Sequence, residues 1–228
     1  MLEKRALVFV NGEQIDLAAV KRMVRPADTL VAVDGGLGHL RRLGLEPALL
    51  VGDLDSVPPK EIARCRENPA VRIMQHPVHK DETDLELALL ALVQEDYTSI
   101  LVLAALGGRL DMTLANISLL ALPELKGVDV RLDDGIEEVF LIRPGEPGRE
   151  IAGKPGDRVS LLPWGGPAEG IHTAGLYYPL RGERLYPERT RGISNLMIED
   201  QALVTLQTGL LICIHTRIVT PLPGPGED

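Results

Sequence analysis

The first half of the chain alternates short apolar runs with segments in which apolar residues recur at helical spacing. The apolar runs predict strands at 6–10, 30–33, 48–51, 71–74, 100–106 and 128–132. The intervening segments predict helices at 15–24, 36–43, 58–67, 84–95 and 111–121. Continuously apolar strands are typical of parallel sheets that are buried on both faces. Residues 1–135 are therefore predicted to form an α/β domain, in which a mostly parallel sheet carries helices on both faces.

The pattern changes after about Gly135. Short apolar segments such as EEVFLI, DRVSLLP, YYPL and ALVTLQTGLLICI are separated by clusters of Gly and Pro. This pattern is typical of antiparallel strands, and it predicts a β-sandwich or roll over residues 136–228, with QTGLL as a hairpin turn. The last residues, PLPGPGED, are expected to form a frayed tail.

Charge and composition narrow the function. The chain carries 24 Lys and Arg against 33 Asp and Glu, a net charge of −9, without a block of like charge, so nucleic acid is not an expected partner. Cys65 and Cys213 are too few for a disulfide framework or a cysteine metal site. The longest apolar runs are too short for a signal peptide or a membrane span. We therefore expect a cytoplasmic protein with no membrane partner.

Acidic or glycine-rich segments follow four consecutive predicted strands. They are DGG (34–36), GDLDS (52–56), HKDETD (79–84) and GGRLD (107–111). Parallel strands end at one edge of the sheet, where open α/β sheets bind ligands, so these segments are expected to converge. Each motif taken alone also has a purely structural explanation. An Asp at a strand end forms turns, and TDLE (83–86) matches a helix capping box.

The pair Asp53 and Asp55 is harder to explain by structure alone. Two neighbouring carboxylates repel each other unless a cation offsets them, and Mg²⁺ prefers such oxygen ligands. Gly107 and Gly108 would let backbone N–H groups approach a phosphate, which the planar fork of Arg109 could also bind. The chain has no P-loop, no G-x-S-x-G and no H-E-x-x-H sequence.

The ordered set DGG, GDLDS, KDETDLE, GGRLDMTLANI, GLYYPL and GISN resembles the thiamine pyrophosphokinase family over nearly the whole chain. The resemblance implies an N-terminal α/β domain, a C-terminal antiparallel β-sandwich, and a homodimer with active sites between subunits. It also implies that the pyrophosphoryl group of ATP is transferred to the hydroxyl of thiamine, giving AMP and thiamine diphosphate, with Mg²⁺ required.

The family's functional residues are carried over to the matching positions of this sequence. The resemblance implies that Mg²⁺ is held by Asp53, Asp55 and Asp84. It implies an ATP site formed by Asp34, Gly35, Gly36, Thr83, Gly107, Gly108 and Arg109. The residues expected to be catalytic are Asp84, Arg109 and Asp111, and either Asp84 or Asp111 could accept the hydroxyl proton.

Thiamine is a flat cation that suits an aromatic face, and the resemblance implies that it is bound by Tyr178, Ser194 and Asn195. Animal and fungal members tend to have Trp where this chain has Tyr178. On this interpretation residues 1–135 bind ATP and Mg²⁺ and catalyse the reaction. Residues 136–228 bind thiamine and form the dimer.

Two other functions stay open at this point. One is a pyrophosphokinase for another heteroaromatic alcohol, such as a pterin. The other is a non-catalytic sensor of nucleotide or thiamine. The presence of Asp53, Asp55, Asp84 and Arg109 argues against a sensor, because a sensor needs no transfer machinery.

Overall fold

The chain folds into two units, Met1–Gly135 and Ile136–Asp228. The computed structural model describes residues 3–12, 16–145 and 148–218. The C-terminal segment PLPGPGED, expected to be a frayed tail, lies outside the described residues. No helix within these ranges is long and apolar enough to cross a membrane.

The first unit is a parallel α/β domain, as its apolar pattern predicts. Its strands and helices are β1 (Arg5–Phe9), α1 (Leu17–Met23), β2 (Thr29–Val33), α2 (Leu37–Arg42), β3 (Leu49–Gly52), α3 (Pro59–Glu67), β4 (Arg72–Gln75), α4 (Asp84–Gln94), β5 (Ser99–Leu103), α5 (Leu110–Leu119) and β6 (Asp129–Asp133). Single 3₁₀ turns occur at Asp34–Gly36 and Pro123–Leu125. The strand order is β6-β5-β1-β2-β3-β4, and every neighbouring pair is parallel.

Alternate residues of the central strands supply the cores on the two faces of this sheet. Leu7 and Phe9 of β1 belong to a buried cluster that includes side chains of α1, α2 and α3. Val8 points to the opposite face and is equally buried. On that face α4 packs against β2 and β3 and buries apolar side chains such as Leu89. Each such Leu contributes ~1.5–3 kcal/mol through the hydrophobic effect.

The second unit is an antiparallel β-sandwich. Its strands are β7 (Glu137–Ile142), β8 (Arg149–Ala152), β9 (Arg158–Pro163), β10 (Ala168–Ala174), β11 (Arg181–Leu185), β12 (Asn195–Leu196), β13 (Gln201–Thr205) and β14 (Leu211–Thr216). They pair in the orders β12-β9-β14-β7 and β11-β10-β13-β8. Phe140 and Leu161 of the first order share one core with Ile171 and Val204 of the second, so the sandwich prediction is confirmed.

Three local predictions were wrong. QTGLL is not a hairpin turn: β13 pairs with β8 and β10 while β14 pairs with β7 and β9, so the segment links the two layers of the sandwich. YYPL (177–180) is not a strand, although Leu176 just before it forms an isolated bridge with Met197. The run 100–106 leaves the sheet after Leu103, because Ala104 takes a left-handed φ of 59°.

Candidate active site

The order of the strands defines where a ligand would bind. From β1 the chain proceeds outward through β2, β3 and β4, and then returns to the other side of β1 to add β5 and β6. In open α/β sheets ligands occupy the crevice at such a switch point, beyond the carboxyl ends of the strands. A cavity of about 440 Å³ lies here, lined by the segments that follow β1, β2 and β5 and by the beginnings of α4 and α5.

The structure brings most of the predicted ATP-site residues together at this cavity. The predicted residues on its wall are Asp34, Thr83, Asp84, Gly107, Gly108 and Arg109. Sequence reasoning did not select Asn11, Gly12 or Asn116, which also line it. The amide of Asn116 is buried and donates a hydrogen bond from Nδ2 to the carbonyl of Ala105 over 2.9 Å. Asn116 thereby holds the loop after β5 in place. The sequence pattern does not reveal this contact.

Three carboxylates converge at the ends of β2 and β3. Oxygen atoms of Asp34, Asp53 and Asp55 lie within 4.8 Å of one another. Burial raises the pKa of Asp34 from 3.8 to about 6, although the N–H of Leu54 hydrogen-bonds to it, and the negative charges of Asp84, Asp53 and Asp55 raise it further. Three hard oxygen donors this close together are suited to a divalent cation, which would offset the repulsion between their charges.

The GDLDS segment forms a turn and also positions two carboxylates of the cluster. Asp53 Oδ1 accepts a hydrogen bond from the N–H of Asp55 over 3.0 Å, which is an Asx turn and the main reason why the pKa of Asp53 lies below its ordinary value. Leu54 has a φ of 68° and a buried side chain. Its N–H donates to Asp34 Oδ1 over 2.9 Å. This hydrogen bond ties the carboxylate after β2 to the turn after β3.

Lys80 links this cluster to α4. Its Nζ lies 3.6 Å from Asp53 Oδ2 and 3.1 Å from Asp84 Oδ1, and it donates to the carbonyl of Pro77 over 3.0 Å. Of the HKDETD segment, the sequence pattern pointed to Thr83 and Asp84 but not to Lys80. The available signal was a lysine four positions before an acid that was already a candidate metal ligand.

The start of α4 combines a helix cap with the cavity wall. Thr83 is the N-cap residue, and its Oγ1 accepts a hydrogen bond from the N–H of Glu86 over 3.2 Å, as the capping-box pattern predicts. Asp84 is the first helical residue, where the helix dipole favours a negative charge. The structural and functional explanations of TDLE are thus compatible.

A glycine turn opens α5. Gly107 and Gly108 have φ values of 80° and 68°, and Arg109 is the N-cap residue. The guanidinium of Arg109 pairs with Asp111, with Nε 3.1 Å from Oδ1, and the side chains are 74% and 65% exposed. This hydrogen bond holds the pKa of Asp111 below its ordinary value. Exposed pairs of this kind are weak, so Arg109 can exchange Asp111 for an anionic ligand at little cost.

Gly35 and Gly36 have a packing role beside the cavity. A Cβ atom on Gly36 would lie 1.9 Å from the carbonyl oxygen of Phe9, and one on Gly35 would lie 2.3 Å from Oδ1 of Asn11. Only glycine lets this turn approach β1 so closely. Their part in binding ATP stays a prediction.

The three residues predicted to bind thiamine lie together in the second unit. Asn195 accepts a hydrogen bond from the N–H of Tyr178 over 2.9 Å and donates to its carbonyl over 2.7 Å. The Tyr178 ring is 55% exposed and meets Tyr177 edge-on, with 4.8 Å between ring centroids. Ser194 has a φ of 57°, and its N–H donates to Ser160 Oγ. Tyr177 and Tyr178 are exposed and lie outside any strand, so they are not packed as core residues of a half-buried strand would be.

Comparison with known proteins gives a consistent assignment. Residues 20–132 match the model of the thiamin pyrophosphokinase catalytic domain, and residues 149–211 match that of the thiamin pyrophosphokinase vitamin B1 binding domain. Thiamine pyrophosphokinase of Bacillus subtilis is 30% identical, over 82% of this chain and 86% of the relative. Thiamine pyrophosphokinase 1 of Oryza sativa is 27% identical, over 77% of this chain and 69% of the relative.

Solved structures agree with these matches. The crystal structure of Bacillus subtilis thiamine pyrophosphokinase superposes with a TM-score of 0.83 at 26% identity, covering 95% of this chain and 100% of the other. Yeast thiamin pyrophosphokinase has the same fold, with a TM-score of 0.79 at 18% identity, over 96% of this chain and 88% of the other. The chain belongs to the thiamine pyrophosphokinase family of enzymes.

Proposed function

We propose that this enzyme transfers the pyrophosphoryl group of ATP to the hydroxyl group of thiamine, releasing AMP and thiamine diphosphate. The observation that carries the proposal is the convergence of Asp34, Asp53 and Asp55 at the sheet edge where Asp34 lines the switch-point cavity, in a chain of this family. Asp84 lies beside them on the cavity wall. A pterin-type acceptor and a sensor function have no comparable support among the relatives.

Mg²⁺ is the cation that we assign to this site. Asp53, Asp55 and Asp84 would hold it, with Asp34 as a further carboxylate of the same group. The fit rests on the oxygen donors of the cluster and on the pKa of Asp34, which burial raises and which the negative charges of Asp84, Asp53 and Asp55 raise further. When bound, the ion supplies electrostatic stabilisation to the oxygens of the polyphosphate.

The protein's own groups position the nucleotide. Gly107, Gly108 and the start of α5 line the cavity, and backbone N–H groups at such a helix start are suited to bind phosphate oxygens. Arg109 can turn from Asp111 to the transferred group and stabilise charge there through its planar fork. In phosphoryl-group transfer, positioning and electrostatics of this kind supply most of the rate enhancement.

The chemical step is an in-line displacement. The thiamine oxygen forms a bond to the β-phosphorus of ATP, the bond from that phosphorus to the oxygen bridging the α-phosphate breaks, and AMP leaves with the electron pair. The hydroxyl proton passes to a carboxylate. Of the two candidate bases we favour Asp84, because it lines the cavity and Asp111 is not among the lining residues.

The second unit is proposed to bind thiamine. Asn195 fixes the backbone of Tyr178 through two hydrogen bonds, which leaves the exposed ring for stacking on the thiazolium or pyrimidine. A cation over an aromatic face gains ~0.5–2 kcal/mol. Ser194 adds a hydroxyl group next to Asn195.

We further propose a cytoplasmic homodimer in which Tyr178, Ser194 and Asn195 complete a site between subunits. Light scattering at the assay concentration measures the oligomeric state, and a fully active monomer would contradict the dimer.

The assay that tests the proposal separates nucleotides and thiamine esters chromatographically after incubation with ATP, Mg²⁺ and thiamine. Equal amounts of AMP and thiamine diphosphate are expected, and both should disappear when the metal is chelated. ADP with thiamine monophosphate would show transfer of a single phosphoryl group instead. If no thiamine ester forms, a hydroxymethyl pterin in place of thiamine tests the alternative acceptor, and ATP binding without turnover on either alcohol would indicate a sensor.

A further inference from the structure

Lys80 lies between two candidate metal ligands. Its ammonium group contacts carboxylate oxygens of both Asp53 and Asp84, over 3.6 and 3.1 Å. The three side chains are only 12%, 11% and 17% exposed, so solvent screens these contacts less than it screens a surface ion pair. A positive charge thus already lies against two of the three carboxylates that are assigned to the divalent cation.

The local charge balance explains why the ammonium is held there. Oxygen atoms of Asp34, Asp53 and Asp55 lie within 4.8 Å of one another at this end of the sheet, and the Lys80 ammonium connects Asp53 to Asp84. Burial works against the charged form of Lys80, but its ion pairs with Asp84 and Asp53 outweigh the effect of burial, so the pKa of Lys80 lies above its ordinary value. Among the ion pairs of the described residues, those of Lys80 are the ones that reach Asp53 and Asp84.

We propose that Lys80 competes with the divalent cation for Asp53 and Asp84, so that the free enzyme binds metal weakly and takes it up together with the nucleotide. The inference rests on the proposed function, because it assumes that these carboxylates hold the metal. A cation entering alone must displace the ammonium and leave it next to a second positive charge. The polyphosphate of ATP gives the displaced ammonium a new anionic partner, which removes that cost.

The competing explanation is that Lys80 has a purely structural role and holds two loops together. It joins the loop before α4 to the GDLDS turn and also bonds to the carbonyl of Pro77. If the role is structural, removing Lys80 would disorder the carboxylates and weaken metal binding. Loss of a competitor would strengthen the binding of metal on its own. The two explanations therefore predict changes of opposite sign in one measurement.

The experiment titrates Mn²⁺ alone into metal-free protein and detects free Mn²⁺ by electron paramagnetic resonance, then repeats the titration with α,β-methylene-ATP present. Lys80→Met is the test variant, because it keeps the chain length without the charge. Lys80→Arg retains a competing cation. Lys126→Met makes the same change of net charge at an exposed site of the same unit.

We expect Lys80→Met to bind Mn²⁺ alone about tenfold more tightly than the wild type, since removal of a unit charge at this separation is a large electrostatic change. The factor by which the nucleotide analogue strengthens Mn²⁺ binding should shrink correspondingly. Lys80→Arg and Lys126→Met should stay within about twofold of the wild type in the first titration, because neither removes a cation from the cluster.

Unchanged or weaker binding of Mn²⁺ alone by folded Lys80→Met would overturn the inference while leaving the proposed reaction intact. If that variant fails to fold, Lys80→Gln replaces it, since its amide can still bond to Asp84. A wild-type protein that binds no Mn²⁺ even with the analogue would instead overturn the metal site. The product assay on the wild type is independent of both results.

Discussion

The carboxyl group of Asp34 should reduce the stability of the metal-free protein at neutral pH. It is half-buried, and its pKa is raised from 3.8 to about 6 by burial and by the three neighbouring aspartates. Asp34→Asn removes the charge, while the amide oxygen can still accept the hydrogen bond from Leu54. Asn also tolerates the left-handed backbone at this position, where φ is 49°. The substitution therefore isolates the cost of the charge.

The magnitude follows from the two pKa values. A change from 3.8 in the unfolded chain to about 6 in the folded one corresponds to ~3 kcal/mol for a fully shielded group. Asp34 lies on the wall of an open cavity, and solvent screening reduces this to ~1–2 kcal/mol. The favourable contribution of the neutral form is fully present below pH 3.8 and is lost as the pH rises through 6. The variant should therefore gain ~1–2 kcal/mol over the wild type at pH 8 and almost nothing near pH 4.

Urea unfolding with EDTA present, at pH 8 and pH 4, measures this difference. Asp96→Asn is the matched control, because Asp96 is exposed and also has a left-handed φ of 60°. Mg²⁺ should stabilise the wild type more than Asp34→Asn, since the ion offsets the repulsion that the substitution removes. An Asp34→Asn protein that is less stable than the wild type by the same amount at both pH values would refute the reasoning.

Three further predictions concern packing, metal and substrate. Gly36→Ala should destabilise the first unit by at least ~2 kcal/mol, because its Cβ would overlap the carbonyl of Phe9. A Cβ at Gly38 meets open space, so Gly38→Ala should stabilise the unit by ~0.5 kcal/mol. Thermal unfolding of both variants measures these changes. Asp55→Asn should abolish turnover at an unchanged melting temperature, and near-normal activity at limiting Mg²⁺ would contradict the metal assignment. Tyr178→Ala should raise the KM for thiamine about tenfold while Tyr178→Phe stays near the wild type; steady-state kinetics in which Phe and Ala behave alike would rule out stacking.

The sequence predicted the first unit well because its strands are buried on both faces. Such strands read as continuous apolar runs, and the predicted run 48–51 differs from β3 by one residue. The second unit was harder, because pairing in a sandwich is long-range. QTGLL has the composition of a hairpin, yet its flanking strands pair with different partners. Local composition identified a turn but carried no information about which strand lies on either side of it.

The candidate site shows the same division between local and long-range information. Asp53 and Asp55 stand out because two neighbouring acids are costly without a cation. Lys80 has only a weak local signal, its position four residues before Asp84, and Asn116 has none. Lys80 is important because it reaches Asp53 from another loop, and Asn116 because it bonds to Ala105 from α5. The contact of Lys80 with Asp53 depends on β3 and β4 being neighbours in the sheet, and that of Asn116 depends on how α5 packs against the loop before it. Sequence pattern could place acids at the edge of the sheet but could not show what neutralises them.

Backbone strain gives an independent indication of where the functional residues lie. Within the described residues, five non-glycine positions have positive φ: Asp34, Leu54, Asp96, Ala104 and Ser194. Only Asp96, which follows α4, lies apart from the candidate sites. Left-handed backbone at a non-glycine residue costs ~1 kcal/mol or more and persists only where surrounding contacts impose it. Those contacts are visible for Leu54, whose side chain is anchored in the core while its N–H binds Asp34. The fold thus accepts strain at the ends of β2, β3 and β5, next to the carboxylates of Asp34, Asp53 and Asp55 and to the cavity that Asp34 and Ala104 line.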